Sequence, residues 1–164
     1  MSVEKLIFAK ATAENFCAIV VYAENKELIV CDVVELPYSV RQFANIVVPD
    51  DIRQFINNVA ASAKKHTPEL VQYECSVYLS ECRDLRELLS KDDIKVRGYK
   101  SEGNYLDRII SQANWIAENV VINEEFSQFT QQILSFKPSD KDKSNIALDV
   151  LSDAAKFMRR QYFE

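Results

Sequence analysis

Apolar positions in the first 36 residues come in short, dense runs: KLIFA at 5–9, FCAIVVYA at 16–23 and ELIVCDVVEL at 27–36, with ENK at 24–26 between the last two. Runs of this length, rich in β-branched and aromatic residues, predict strands, and so short a turn predicts antiparallel neighbours. From Pro49 the pattern changes. Ile52, Phe55, Ile56, Val59, Ala60 and Ala63 recur at three and four after a proline and two carboxylates suited to a first turn, which predicts a helix with one buried face ending near His66 and Thr67. LVQYECSVYL at 70–79 predicts an interior strand whose sole charge is Glu74. Leu85, Leu88 and Leu89 mark a short helix, and DIKVRGY at 93–99 marks another strand. Leu106, Ile109, Ile110, Ala113 and Ile116 share a helical face, VVI at 120–122 is a short extended piece, and Phe126, Phe129, Ile133 and Leu134 mark a further helix. The final helix, from 145 to about 161, has Ala147, Leu148, Val150, Leu151, Ala154, Ala155 and Met158 on its apolar side, with Asp149, Ser152, Asp153 and Lys156 largely opposite.

This order, three strands and then alternating helices and strands, predicts an α/β layer architecture in which an antiparallel meander leads into crossover units. At 164 residues, with a hydrophobic fraction of 48% spread along the chain, residues 1–164 are expected to form a single domain. The net charge of -5 argues against a strongly basic nucleic-acid surface, while leaving room for a local patch. Two glycines leave little material for a phosphate-cradling loop, and no GKT or GKS motif of a nucleotide-driven motor is present. Cys17, Cys31, Cys75 and Cys82 lack ligand-like clustering, so a zinc site is not expected, and buried thiols in a reducing compartment are. His66, the sole histidine, reads as an ordinary surface residue and rules out a Ser-His-Asp arrangement, while Trp115 reads as core or interface. The start MSVEKLIFAK is unlike an export signal and the longest apolar run is too short to span a bilayer, so a cytoplasmic protein without membrane attachment is expected.

The element order resembles the ribonuclease H-like fold: a mixed central sheet, three antiparallel strands followed by parallel ones, flanked by helices. The stretch YLDRIISQANWIAENVVINEEFSQFTQQILSFKPSDKDKSNIALDVLSDAAKF is similar to the late region of the nuclease domain of phage terminase large subunits, with an Arg on a helix, a charged loop and a last helix of LDVLSDA type. FAKATAENFCAIVVYA and VQYECSVYL extend the similarity over nearly the whole chain. The resemblance implies a carboxylate cluster that holds two Mg2+ or Mn2+ ions for phosphodiester hydrolysis. It places an Asp at the end of the first strand, a Glu or Asp on the fourth, and one or two Asp at the start of the last helix.

Residue by residue, this chain departs from that pattern. Lys10 falls where the first acid belongs, Glu74 matches the central acid, and Ser144 and Asn145 fall at the third position. Lys10, Ser144 and Asn145 therefore read as a vestigial site, with a Lys10–Glu74 salt bridge as one way to neutralise the remaining acid. Glu14, Asp140, Asp142 and Asp149 are the acids that, with Glu74, would supply relocated metal ligands, and Glu74 and Asp149 would then be catalytic. Tyr105 stands where the family has a basic residue beside the DNA path. Arg97, Lys100, Arg108, Lys141 and Lys143 form a candidate phosphate-contacting set. Arg159 and Arg160 suit a helix C-terminus. Met158, Tyr162 and Phe163 are either fold anchors or a partner-binding end.

Three readings stay open on these residues. One is a degenerate, non-catalytic module of a phage or prophage system that needs no cofactor and binds double-stranded DNA or a packaging protein. Another is an active Mg- or Mn-dependent endonuclease of the packaging type. The third is a structural or regulatory protein-interaction module.

Overall fold

The computed structural model describes residues 3–12, 15–35, 49–75, 80–139 and 145–163. The three apolar runs form strands β1 (Leu6–Ala11), β2 (Phe16–Glu24) and β3 (Glu27–Val34). β1 and β2 pair antiparallel, as do β2 and β3. Asn25 and Lys26, both at positive φ (52° and 66°), make the two-residue turn whose twist suits a tight hairpin. The helix from Pro49 is α1 (Pro49–His66). β4 (Leu70–Glu74), α2 (Glu81–Leu89), β5 (Lys95–Tyr99), α3 (Tyr105–Asn119) and β6 (Val120–Ile122) follow, then α4 (Ser127–Leu134) and α5 (Ile146–Met158), which runs into a π-helical turn at Arg159–Phe163.

These strands make one six-stranded sheet in the order β5-β4-β1-β2-β3-β6. β4 lies parallel to β1 and β5 parallel to β4, while β6 adds in parallel beyond β3. The meander and crossovers expected from the sequence are thus the observed ones. The fourth strand is shorter than expected: it ends at Glu74, and residues 76–79 lie outside the described residues.

Side-chain alternation divides the sheet into two faces. Ile7, Ala9 and Ala11 of β1 and Val71 and Tyr73 of β4 pack with Phe55, Val59 and Ala63 of α1 and Leu85 and Leu89 of α2. Phe16 stacks on Phe55 at 5.1 Å between ring centroids, and Phe55 meets Tyr73 at 6.5 Å. Gly98 lets α2 lie close to β5, since a Cβ there would meet Cys82 Sγ at 3.2 Å and Cys75 Sγ at 3.4 Å. On the other face Leu6, Phe8, Ile19 and Val21 pack with Ile109 and Ile116 of α3, Phe129 of α4, and Val150, Leu151 and Ala154 of α5. The odd positions of β1 therefore serve a dry core, and the even positions lead from Leu6 and Phe8 to Lys10 on the α5 side. Among the described residues no helix is long and apolar enough to cross a membrane.

Several expectations about single residues are corrected. Asp149 and Ser152 are buried rather than set on a solvent side, because α5 is covered by β1 and β2 below and by α3 beside it. Met158 is fully buried, which takes it out of a partner-facing set, and Phe163, half-buried, lies edge-on to Trp115 at 5.1 Å. Tyr162 is the exposed member of that trio, with its hydroxyl 3.2 Å from Glu4 Oε2. Arg159 donates to Gln112 Oε1 at 3.0 Å and sits 5.4 Å from the centre of the Trp115 ring. His66 is no bare surface residue: its Nε2 is 2.7 Å from Asp32 Oδ2 and its Nδ1 is 3.3 Å from Lys5 Nζ.

Candidate functional site

Parallel pairing of β1 and β4 sets Lys10 beside Glu74, and pairing of β4 and β5 sets Glu74 beside Tyr99. All three side chains stand on the α5 face. α5 then brings Asp149 and Asp153, one turn apart and so on one helix surface, over the ends of these strands. Lys10 Nζ lies 3.0 Å from Asp149 Oδ2, 3.3 Å from Asp153 Oδ2 and 3.7 Å from Glu74 Oε2. It also donates to Ser101 Oγ at 2.8 Å, and Ser101 donates its own proton to Asp153 Oδ2 at 2.7 Å. The ammonium thus donates hydrogen bonds to Ser101 and Asp153 and forms ion pairs with Asp149 and Glu74.

A second cation closes the network. Arg108 of α3 donates from Nη2 to Asp149 Oδ1 at 3.0 Å and Oδ2 at 3.2 Å, and its Nε lies 3.8 Å from Asp153 Oδ1. Its Nη1 donates to the Gly103 carbonyl at 2.8 Å, where φ of +75° turns the chain ahead of α3. Tyr99 donates to Asp153 Oδ2 at 2.9 Å. Burial, with the nearby charge of Asp153 and the hydrogen bond to it, holds the Tyr99 phenol well above its ordinary pKa, so it remains a donor. Lys10 and Glu74 are each 4% exposed at the side chain, Asp149 3%, Asp153 8% and Arg108 15%, so this is a desolvated ion cluster rather than a surface salt bridge.

The sequence-derived residues fall into distinct places. Lys10, Glu74, Asp149 and Arg108 come together. Arg108, read from sequence as phosphate-contacting, is hydrogen-bonded to Asp149 and lies in ion-pair range of Asp153. Arg97 and Lys100 are exposed beside the cluster, on and just after β5. Asn145 is the N-cap of α5: its Oδ1 accepts from the Leu148 amide at 3.0 Å, its Nδ2 donates to the Gln132 carbonyl at 2.7 Å, and its backbone N–H donates to Tyr105 Oη at 2.6 Å. Tyr105 thus holds the entry to α5. Glu14, Asp140, Lys141, Asp142, Lys143 and Ser144 lie outside the described residues. Asp153, Tyr99 and Ser101 were missed in the sequence. The spacing of Asp149 and Asp153 on a predicted helix was the available signal for the first, and only the sheet register reveals the other two.

Among the described residues no group of three or more His, Cys, Asp and Glu is arranged to hold a metal ion. Glu74, Asp149 and Asp153 converge, but on an ammonium. With Lys10 where it lies, its ammonium fills the space that the three carboxylates share.

No sequence-family model matches the chain, and no curated protein matches it. Solved structures do. The large terminase of a thermophilic bacteriophage superposes with a TM-score of 0.65 at 14% identity over 93% of this chain, which spans 39% of that longer protein. The fold is ribonuclease H-like. The fowlpox virus Holliday junction resolvase gives a TM-score of 0.60 at 10% identity, covering 96% of this chain and 99% of its own. The human cytomegalovirus terminase nuclease domain gives 0.55 at 9% identity, covering 94% of this chain and 83% of that one. The chain thus shares the fold of terminase nuclease domains and resolvases.

Proposed function

We propose that this chain is a degenerate terminase-nuclease-like domain that binds DNA without cutting it, with Lys10 serving as the fixed counter-charge of a former metal site. The observation that carries this reading is the position of Lys10 Nζ, within 3.0–3.7 Å of Glu74, Asp149 and Asp153. Taking a carboxylate into a low-dielectric interior costs several kcal/mol unless a charge and hydrogen bonds compensate it. A lysine does this permanently, keeping the fold while repelling any divalent ion that approaches the same oxygens.

DNA is favoured as the ligand by the exposed Arg97 and Lys100 beside the cluster and by the neighbours' company, since the fowlpox resolvase is also known in complex with Holliday junction DNA, with a TM-score of 0.53 at 12% identity. A local basic strip suffices for backbone binding on a chain of net charge -5, and such binding weakens steeply with salt. A phage or prophage packaging setting, and placement in the host cytoplasm, go with this reading. So does a single independent domain spanning residues 1–164.

A second reading rests on the convergence of three carboxylates: an endonuclease in which Lys10 swings away and Glu74, Asp149 and Asp153 take up Mg2+ or Mn2+. Plasmid cleavage with Mn2+, together with DNA retention in a filter assay, separates the two. The proposal predicts retention that falls with salt and no cleavage. Cleavage abolished by Glu74→Gln would overturn it in favour of the enzyme.

A further inference from the structure

A cavity of about 280 Å³ opens between β5 and the C-terminal half of α5, beside the Lys10 cluster. Its floor is Phe8 and Phe157, whose rings meet edge-on at 5.6 Å. Gln72 also lines it, from the middle of β4, only 3% exposed, and its amide Nε2 is buried without a hydrogen-bond partner among the described residues. A buried amide donor left unpaired is costly, so an acceptor belongs opposite it. The register explains the placement: Gln72 is opposite Arg97 of β5 and two residues before Glu74, hence on the α5 face.

The charge on the rim is uneven. Arg97, Lys100, Lys156 and Arg160 line the cavity, against Glu102 and Asp153. Lys156 is paired with Glu102 at 2.7 Å, and Asp153 is already satisfied by Lys10, Ser101 and Tyr99. Arg97 and Lys100 have no carboxylate partner among the described ion pairs, while Arg160 lies in Coulombic reach of Glu102. An unpaired amide donor, three cations and an aromatic floor make a receptor for an anion attached to a flat, apolar-faced group.

We propose that this cavity binds a phosphorylated nucleotide unit, its phosphate held by Arg97, Lys100 and Arg160, and an acceptor on it taken up by the Gln72 amide. Such a unit has two sources, a terminal phosphate on a DNA strand or a free nucleoside monophosphate. The proposal deepens the DNA-binding reading above and rests on it for the first source only.

The test is calorimetric titration of the full chain with a 5′-phosphorylated tetradeoxynucleotide, the same tetranucleotide without the phosphate, and deoxyadenosine monophosphate, for wild type, Gln72→Leu and Lys100→Ala. Saturable binding that requires the phosphate is expected, weakened about tenfold or more in either variant. Gln72→Leu also removes the unpaired amide, so its melting temperature should hold or rise while its affinity falls, which distinguishes a ligand site from a structural glutamine. Comparable binding of the monophosphate would assign a free nucleotide as the ligand, and preference for the tetranucleotide would assign a strand end. Binding of no probe, or unchanged affinity in Gln72→Leu, overturns the proposal. Retention of plasmid DNA under the same conditions would show that the DNA-binding reading survives that failure.

Discussion

The two faces of the sheet solve opposite problems with the same strands. Under α1 and α2, Ile7, Ala9, Ala11, Val71 and Tyr73 meet Phe55, Val59 and Leu85 in an apolar core. Under α5, the alternate residues begin the same way, with Leu6 and Phe8, but end in Lys10, Gln72 and Glu74, and the helix answers with Asp149 and Asp153. A one-residue step along β1 therefore separates a packed interior from a buried ion cluster. The apolar face draws its stability from removed surface, about 1.5–3 kcal/mol for each large side chain fully buried. The charged face gains little net stability from its ion pairs but loses much if one partner is removed. Apolar burial on both faces thus carries the fold, and only the α5 face sets an ion cluster within it.

Two substitutions break this contrast most sharply. Phe55→Ala should destabilise by about 3–5 kcal/mol through a cavity, with a loss that hardly changes with pH or added metal. Lys10→Ala should destabilise by a similar amount, about 3–5 kcal/mol, by removing the cation that Glu74, Asp149 and Asp153 share. Urea denaturation of both variants, each repeated with Glu74→Gln, distinguishes them: removing that carboxylate charge should recover part of the Lys10→Ala loss and leave the Phe55→Ala loss unchanged. An equal effect of Glu74→Gln on the two would mean that the Lys10 cluster is not a charge network in solution.

A smaller effect sharpens the polar side alone. Tyr99 has a pKa raised well above 10.0 in the folded chain, whereas in the unfolded chain it ionises near its ordinary value. Above pH 10 the folded state then holds a proton that the unfolded state has lost, so stability is fully present below that pH and falls as pH rises beyond it. Tyr99→Phe should cost about 1 kcal/mol at neutral pH through the lost hydrogen bond to Asp153. It should also flatten the alkaline decline, which chemical denaturation measured at neutral and alkaline pH would read directly.

Local pattern made most of the architecture legible. The period of two in the first strands, the period of three and four from Pro49, and the proline and turn residues between them located nearly every element to within a few residues. Glu74 was legible as a lone charge in an apolar run, and Lys10 as a cation at a strand end. What stayed hidden depended on contacts far apart in sequence. Asp153 looked like a solvent-side residue because helical patterning alone cannot tell a polar face in water from one laid over a strand end. Asn145 looked like a lost metal ligand, whereas its amide caps α5 and its neighbours Gln132 and Tyr105 come from other helices. His66 looked unremarkable until β3 brought Asp32 to it. Gln72 gave no signal, since a single amide in a strand acquires meaning only when its partner is missing.

Whether the Lys10 ammonium takes the place of a metal ion is tested most directly by melting temperature against Mn2+ concentration for wild type and Lys10→Asp. Wild type should be insensitive to Mn2+. Lys10→Asp joins a fourth carboxylate to Glu74, Asp149 and Asp153, so it should melt lower without metal and climb with the logarithm of Mn2+ concentration once the site begins to fill. A wild-type melting temperature that climbs with Mn2+ as steeply as the variant's would contradict the account, because the carboxylates would then be free to bind metal with the lysine in place.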